Sequence, residues 1–310
     1  MTLTVLFAAG QELYNDYQAP LSQALQEQAL DAELVTDAPP ESVDYIIYAP
    51  SSALQDFTPY TRCKAVLNLW AGVEKIVGNP TLTQPLCRMV DPSLTQGMVE
   101  YVCGHVLRHH LGMDAHIHAR PGDWHAVEPP LAQERKVGIL GLGALGQAVA
   151  QALAGFGFDL HGWARSPRSV PGMRCHHGQD GLDACLSHAE ILVTLLPLTA
   201  GTENLLDRRA LALLPEGAAL INPGRGRLVD DTALIAALDS GQIGHATLDV
   251  FRTEPLPADH PFWAHPRVTV TPHIAATTRA RTAARVIAGN IARGEKGLAF
   301  MNVVDRGRGY

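Results

Sequence analysis

The chain has 310 residues, a formal charge of −7 and a hydrophobic fraction of 46%. These values are typical of a globular protein that is long enough for two domains, and the acidic balance argues against nucleic acid as a partner. No apolar stretch reaches the ~20 residues needed to cross a bilayer, so we expect no membrane partner either.

The cysteines, the N-terminus and the histidines bear on cellular compartment and metal binding. The five cysteines are scattered and form no C-x-x-C pair, which is typical of reduced thiols in a cytoplasmic protein. The first ten residues lack a basic segment, so we interpret them as a buried strand and not as a signal peptide. The histidine clusters at 109–110, 116–118 and 176–177 do not form an H-E-x-x-H pattern. We interpret them as surface histidines and predict no metal site.

The first hundred residues alternate strand-like and helix-like segments. Strands are predicted at 3–8, 45–48 and 65–69, and a helix with leucines on one face is predicted at 19–30. This alternation is typical of a parallel sheet covered by helices. A long helix is then predicted at 98–118, because apolar residues recur there at helical spacing.

A second α/β segment begins at Lys136 and continues to a final helix at 277–295. Its strands are predicted at 137–140, 159–163, 191–195, 218–222, 245–250 and 268–270. The chain therefore leaves its first domain near residue 98 and returns to it near residue 280. We predict a discontinuous first domain, residues 1–97 with 282–310, and a second domain at 98–281.

A glycine loop, Gly141-Leu142-Gly143-Ala144-Leu145-Gly146, lies between the strand at 137–140 and a segment of strong helix formers. This is G-x-G-x-x-G in its required strand–turn–helix context. Gly141 permits the tight turn, Gly143 lets a pyrophosphate approach the backbone, and Gly146 lets the helix pack on the strand. The helix start also offers free N–H groups to an anion. We therefore predict a Rossmann domain that binds a nicotinamide dinucleotide through Gly141, Gly143, Ala144, Leu145 and Gly146.

The next strand indicates which dinucleotide is bound. A site that prefers NAD ends this strand in an acidic residue, which binds the ribose 2′-hydroxyl. Here the strand at 159–163 is followed by Ala164, Arg165, Ser166, Pro167 and Arg168, and no acid is present. Arg165, Ser166 and Arg168 suit a 2′-phosphate through charge-assisted hydrogen bonds. We predict a preference for NADP(H), with NAD(H) as a possible second cofactor; a solvated basic turn is the alternative interpretation. Pro197, after the strand at 191–195, is included with the cofactor-binding residues.

Three polar residues follow three successive strands of the second segment: Arg225, Glu254 and His273. Open α/β sheets bind their ligands at the carboxyl ends of strands. Reduction of a ketone by hydride requires a proton for the developing alkoxide, and histidine has a suitable pKa. A neighbouring carboxylate favours the imidazolium, and an arginine can bind a substrate carboxylate and polarise the adjacent carbonyl. We predict these three residues to be catalytic.

Several segments resemble the D-isomer-specific 2-hydroxyacid dehydrogenases. The matching segments are I-N-P-G-R-G at 221–226, L-D-V-F-R-T-E-P-L-P at 248–257 and T-P-H-I-A-A at 271–276. The glyoxylate/hydroxypyruvate reductase A branch is closer still, through L-W-A-G-V-E at 69–74, Q-G-M-V-E-Y at 96–101, W-A-R-S at 163–166 and V-D-R-G-R-G-Y at 304–310.

The resemblance implies roles for individual residues. Arg225 binds substrate, Glu254 orients His273, and His273 donates the proton. The backbone N–H groups of Ala71 and Gly72 bind the substrate carboxylate, and Asp249 faces the nicotinamide carboxamide. The resemblance also implies a homodimer, with the helix near 98–118 and its following arm at the interface.

The sequence departs from the family pattern at two places. Trp70 stands where glycine is common in the substrate loop. It either walls off the pocket, which favours small substrates, or packs between the domains. Pro223-Gly224 precedes Arg225 where other members carry different small residues, which leaves the local turn open.

We therefore expect a Rossmann domain plus a flavodoxin-like substrate domain, with the active site in the cleft between them. The expected reaction is the NADPH-dependent reduction of a small 2-oxo acid, such as glyoxylate or hydroxypyruvate. Two alternatives stay open: an NAD-linked dehydrogenase of the same family with another substrate, and a binding protein that senses the dinucleotide without catalysis.

Overall fold

The structure is a computed structural model that describes residues 2–307 and 309. Arg308 and Tyr310, two residues of the motif at 304–310, lie outside the described residues. The chain forms two compact units, one of Met1–Leu94 with Thr277–Tyr310 and one of Thr95–Ala276.

Helices and strands occur along the whole chain. In chain order they are β1 (Leu3–Ala8), α1 (Gln11–Glu27), β2 (Ala32–Val35), β3 (Tyr45–Tyr48), β4 (Ala65–Asn68), β5 (Leu86–Cys87), α2 (Pro92–His110), α3 (Met113–Ile117), β6 (Lys136–Leu140), α4 (Ala144–Ala154), β7 (Asp159–Ala164), β8 (Met173–His177), α5 (Gly178–His188), β9 (Ile191–Thr194), α6 (Arg208–Leu213), β10 (Ala218–Asn222), α7 (Asp231–Ser240), β11 (Ile243–Leu248), β12 (Val268–Val270) and α8 (Ala280–Glu295).

The first unit contains a parallel sheet in the strand order β2-β1-β3-β4-β5. This is the flavodoxin-like order. Strand β3 is buried along its whole length, since both faces of the sheet are covered. On one face, Leu21 of α1 and Ile287 of α8 pack in the same apolar core as Leu67 of β4. The helix that returns late in the chain is therefore part of the first unit's core.

The second unit contains a parallel sheet of seven strands in the order β12-β11-β10-β9-β6-β7-β8. The order in which successive strands are added to the sheet reverses at β6, whose neighbours are β7 and β9. Such a reversal leaves a crevice at the carboxyl ends of the strands, where Rossmann folds bind dinucleotides. The strands β10, β11 and β12 are adjacent and parallel. Because their carboxyl ends share one edge, the loops that follow them lie side by side.

Three predicted helices have other bounds in the structure. Helix α1 begins at Gln11 and not at residue 19, and it contains Pro20 in its interior. The prediction began at residue 19 because it rested on the leucines at 21, 25 and 30. The contact of Phe7 with Tyr14 and Tyr17 holds the earlier turns against the sheet.

The predicted helix at 98–118 is two helices, because Gly112 adopts a φ of +62° between α2 and α3. Helix α2 already begins at Pro92, where Asp91 accepts a hydrogen bond from the N–H of Ser93 at 3.1 Å. The final helix begins at Ala280 and not at 277. The prediction missed β2, β5 and β8. Strands β2 and β8 are edge strands without clear apolar alternation, and β5 has only two residues.

The interpretation of every histidine cluster as surface residues is wrong at 109–110. The side chain of His109 is only 5% exposed, and His110 is also buried. The Nε2 atom of His109 lies 3.0 Å from Oγ1 of Thr247, so the ring packs between α2 and the sheet.

The structure also bears on the cysteines and on the question of membrane-spanning helices. All five cysteines are free thiols, and Cys63, Cys87 and Cys185 are buried. In the described part of the chain, no helix is both long and apolar enough to span a membrane.

Candidate active site

The glycine loop joins β6 to α4 and has the geometry of a phosphate-binding turn. Gly141 adopts a φ of +104°, and a Cβ there would lie 2.6 Å from the carbonyl oxygen of Leu195. A Cβ on Gly146 would lie 1.9 Å from the carbonyl oxygen of Gly141, whereas a Cβ on Gly143 would meet no atom within 4 Å. Gly143 is the N-cap of α4, and because it has no side chain it does not cap the first N–H groups of the helix. The helix start therefore keeps donors for an anion, and these residues fit a bound pyrophosphate.

The basic turn after β7 is exposed. Arg165, Ser166 and Arg168 are all solvent-accessible, directly beyond the end of the strand that pairs with β6. Pro197 follows β9 on the other side of β6, and its carbonyl accepts a hydrogen bond from Oγ1 of Thr202 at 2.7 Å. The basic turn thus follows β7 and Pro197 follows β9, and these are the two strands that pair with β6, the strand before the glycine loop.

The turn that carries Arg225 is built around Asn222, the last residue of β10. The Nδ2 atom of Asn222 donates to the carbonyl of Arg225 at 3.0 Å, and its Oδ1 accepts from the N–H of Gly224 at 3.2 Å. A Cβ on Gly226 would lie 2.0 Å from the backbone carbon of Phe251. Glycine is therefore required after Arg225, because the turn touches the loop that follows β11. The conformation of the turn at Pro223-Gly224, which the sequence left open, is therefore set by the hydrogen bonds of Asn222.

Glu254 and His273 are joined by a short hydrogen bond. The Nδ1 atom of His273 lies 2.8 Å from Oε2 of Glu254. The second carboxylate oxygen, Oε1, accepts from the backbone N–H of Phe251 at 2.9 Å. Because Phe251 belongs to the same loop, the carboxylate is held from both sides. The bond to Nδ1 leaves Nε2 as the ring nitrogen that faces away from Glu254.

This pairing alters the proton affinity of both groups. The hydrogen bond that His273 donates to Glu254 raises the pKa of His273, although burial of the ring acts in the opposite direction. Burial alone would raise the pKa of Glu254, but the hydrogen bonds from His273 and from Phe251 lower it overall. The pair therefore favours a protonated imidazole beside an ionised carboxylate near neutral pH.

The substrate loop that was predicted in the first unit follows β4. Trp70 is 39% exposed, and Ala71 and Gly72 are partly buried. Within residues 2–307 and 309, no protein acceptor receives the N–H groups of Ala71, Gly72 or Val73. Consecutive free N–H groups form a concave site that suits an anion. In the second unit, the positive charge of Arg225 acts on both Glu254 and His273. The N–H groups of the substrate loop belong to the first unit.

The family model of the D-isomer specific 2-hydroxyacid dehydrogenase NAD binding domain matches residues 103–275. The chain belongs to the D-isomer-specific 2-hydroxyacid dehydrogenases. The family match includes the glycine loop and all three strand ends described above, and it spans most of the second compact unit of this dehydrogenase.

Individual relatives extend the similarity to the whole dehydrogenase. A glyoxylate/hydroxypyruvate reductase A of Serratia proteamaculans is 38% identical over an alignment of 303 residues that covers 95% of this chain and 96% of that protein. A family member from Xanthobacter autotrophicus Py2, solved in complex with NADPH and MES, is 41% identical with a TM-score of 0.93 and full coverage of both chains. An NADPH-dependent glyoxylate/hydroxypyruvate reductase from Sinorhizobium meliloti, solved with NADP and sulfate, is 34% identical with a TM-score of 0.88, covering 100% of this chain and 99% of that one. The predicted α/β fold, the resemblance to the family and the resemblance to its reductase A branch are thereby confirmed.

Sequence reasoning missed the way in which the dehydrogenase holds the His273 loop. Asp249 is fully buried, and its Oδ1 accepts from Oγ1 of Thr271 at 2.6 Å and from the N–H of Ile274 at 2.9 Å. Its Oδ2 accepts from the N–H of Ala275 at 2.9 Å. Both oxygens are therefore occupied by the loop that carries His273. The nicotinamide contact expected for Asp249 stays a prediction.

A second contact, from α2, also reaches this loop. The hydroxyl of Tyr101 lies 2.7 Å from Oγ1 of Thr271. Since Thr271 donates to Asp249, the phenol is the donor to Thr271. No sequence signal marks this pair, because Tyr101 and Thr271 are 170 positions apart. Within the described range, no group of three or more His, Cys, Asp or Glu residues has a metal-binding arrangement.

Proposed function

We propose that this protein is an NADPH-dependent reductase of small 2-oxo acids, with glyoxylate and hydroxypyruvate as its substrates. The observation that carries the proposal is the Glu254–His273 pair, 2.8 Å apart, which follows adjacent strands of the unit that holds the dinucleotide loop. The Serratia relative bears the name of this activity, and the Sinorhizobium structure is an NADPH-dependent reductase with NADP bound. Both relatives support the same substrate class.

The residues present suit an NADP(H) molecule. The open space at Gly143 and the uncapped start of α4 suit its pyrophosphate. The exposed side chains of Arg165, Ser166 and Arg168 suit its 2′-phosphate. When bound, NADPH supplies the hydride that reduces the carbonyl carbon.

The chain's own residues supply the proton and the charge stabilisation. In the proposed roles, Nε2 of His273 donates a proton to the carbonyl oxygen as negative charge develops on it. Glu254 keeps the imidazole protonated beforehand and stabilises its tautomer afterwards, because its bond to Nδ1 persists in both states. Arg225 binds the substrate carboxylate and polarises the neighbouring carbonyl.

The loop after β4 provides the second group of substrate contacts. In this proposal the free N–H groups of Ala71 and Gly72 bind the carboxylate of the 2-oxo acid. The partly exposed indole of Trp70 limits the length of the substrate's other end. Its bulk favours a two- or three-carbon acid over a long-chain one.

The test is a panel of 2-oxo acids assayed with NADPH and with NADH side by side. We expect the highest kcat/KM for glyoxylate or hydroxypyruvate with NADPH, and a loss of about 10²–10⁴-fold in His273→Gln. A strong preference for NADH would contradict the role of Arg165. Tight NADPH binding without turnover of any 2-oxo acid would instead indicate a dinucleotide sensor. Wild-type turnover in His273→Gln would show that another group donates the proton.

The remaining assignments are proposals about domains, assembly and location. The two compact units, divided near residues 95 and 277, are proposed as the substrate domain and the cofactor domain. A homodimer is supported by the arm that follows α2, whose apolar side chains are exposed, with Trp124 at 96%. Sedimentation of the wild type and of Trp124→Ser at micromolar concentration tests this assembly. The free cysteines are consistent with a cytoplasmic location.

A further inference from the structure

Asn68, the last residue of β4, lies directly under the substrate loop. Its side chain is buried, with an exposure of 1%. Its Nδ2 atom donates to the carbonyl of Trp70 at 2.8 Å and to the carbonyl of Gly72 at 3.1 Å. The carbonyl of Trp70 accepts a further bond from the N–H of Met89 at 3.1 Å. One buried amide thus holds two alternate peptide groups of the loop.

The orientation of this amide is unambiguous. Nδ2 is the only atom of the group that can donate, and it faces two carbonyl oxygens. The reversed amide would set its own oxygen against both of them. The Oδ1 atom of Asn68 is buried and has no hydrogen-bond partner among the described residues. Burying this oxygen without a partner costs free energy of folding. The same amide makes the two hydrogen bonds to the loop.

These bonds determine where the loop's N–H groups point. In a trans peptide the carbonyl and the next residue's N–H point in opposite directions. Holding the carbonyl of Trp70 toward Asn68 therefore directs the N–H of Ala71 away from the Asn68 side chain. Holding the carbonyl of Gly72 does the same for the N–H of Val73. Both N–H groups lack a protein acceptor in the described residues, as does that of Gly72.

We infer that Asn68 is a positioning residue for the substrate carboxylate, and that Val73 is a third backbone donor beside Ala71 and Gly72. The inference rests on the proposed function, because the ligand of these N–H groups is taken to be the carboxylate of a 2-oxo acid. Asn68 itself does not touch the substrate. It keeps the loop in its anion-binding form before substrate arrives, so the ordering cost is not incurred on binding.

The experiment measures KM, kcat and the binding of oxamate, an unreactive carboxylate analogue, to the full-length enzyme with NADPH. In Asn68→Ala we expect KM and the oxamate Kd to rise about tenfold or more, because bonds that position a charged ligand are lost. We expect kcat and the NADPH Kd to stay near wild type, since the interaction contributes equally to ground and transition states. Asn68→Ser, which retains one hydroxyl donor, should be intermediate.

Asn68→Asp gives a signature that a general loss of packing would not produce. The carboxylate has the shape of the amide but faces two carbonyl oxygens without a proton to donate. Burial beside these oxygens raises the pKa of that carboxyl, and the protonated form can donate to one of them. Relative to wild type, oxamate binding by Asn68→Asp should therefore improve as the pH falls from about 8 to about 6, whereas Asn68→Ala should show no such recovery.

Asn79→Ala is the matched control. Its Nδ2 donates to the carbonyl of Gln55 at 2.8 Å, so it removes a similar bond from another loop of the same unit. We expect lower stability and unchanged oxamate binding. Wild-type oxamate binding in both Asn68→Ala and Asn68→Asp would overturn the inference and leave the proposed function intact. A wild type that neither binds oxamate nor reduces 2-oxo acids would overturn both.

Discussion

The buried carboxylate of Asp249 accepts a hydrogen bond of 2.9 Å from the backbone N–H of Ile274, the residue that follows His273. His273 itself donates its N–H to the backbone carbonyl of Asp249 at 2.9 Å and adopts a φ of +54°. Non-glycine residues rarely adopt this conformation. The end of β11 thus fixes the backbone of the candidate proton donor from both sides.

Asp249→Asn should loosen this loop. An amide nitrogen would replace one oxygen and face a donor, so we expect the free energy of unfolding to fall by about 1–3 kcal/mol. We also expect kcat to fall more than NADPH affinity, because His273 loses its fixed position. Chemical denaturation, kinetics and NADPH titration measure these three quantities. Asp239→Asn is the control, since its side chain is 69% exposed. Normal kcat in Asp249→Asn would contradict the positioning role.

The pH dependence of reduction should follow the protonation of His273. Only the imidazolium can donate a proton, so kcat/KM falls as the pH rises through the pKa of His273. Since Glu254 raises that pKa, Glu254→Gln should move the fall to lower pH and reduce the rate at neutral pH. Profiles of kcat/KM against pH for both proteins test the direction. A shift to higher pH, or none, would show that Glu254 does not control this proton.

Arg165 should discriminate between the two dinucleotides. Arg165→Gln removes a charge-assisted bond to the 2′-phosphate, so we expect the KM for NADPH to rise about tenfold to a hundredfold and the KM for NADH to change little. Arg174→Gln is the matched control, because Arg174 is an exposed arginine of the neighbouring strand β8. Equal losses with both cofactors would contradict recognition of the phosphate.

Two glycines of the dinucleotide loop should respond differently to alanine. In Gly146→Ala the new Cβ would meet the carbonyl of Gly141 at 1.9 Å, so we expect a loss of stability of about 1–3 kcal/mol or more. Gly143→Ala has open space around it, so its Tm should be unchanged. Its NADPH Kd should nevertheless rise about tenfold, because the methyl group occupies the approach of the pyrophosphate. Calorimetry and cofactor titration separate the two effects.

His109 should make the protein sensitive to acid. Burial, with the neighbouring His245 and Arg108, lowers the pKa of His109 to about 3. In the unfolded chain the pKa is about 6.5. Its stabilising contribution is therefore complete above about pH 6.5 and is lost as the pH falls from there toward about 3.

Urea denaturation between about pH 5 and pH 7 measures this contribution as a slope. In His109→Gln the dependence of the unfolding free energy on pH should weaken by up to about 1.4 kcal/mol per pH unit. His116→Gln, at an exposed position of α3, should leave the slope unchanged. An unchanged slope in His109→Gln would show that this ring does not control acid stability.

Local sequence signals were sufficient for the dinucleotide loop and for the three strand ends. Gly141 and Gly146 are constrained by neighbours within a few residues or on the adjacent strand, so a short motif identifies them. The break at Gly112 was not predicted, because apolar residues continue at helical spacing on both sides of it. Asn68 and Tyr101 could not be found from sequence. Their partners are backbone carbonyls or distant hydroxyls, which only the folded chain brings near.

The buried thiols can report local opening of the structure, because both compact units contain at least one of them. Burial raises the pKa of Cys63, Cys87 and Cys185 to about 12, so each is both shielded and almost entirely protonated at neutral pH. A maleimide should modify them only when the surrounding structure opens. Cys63 and Cys87 belong to one compact unit and Cys185 to the other. Mass spectrometry of the labelled peptides would therefore time the opening of each unit separately, without an introduced probe.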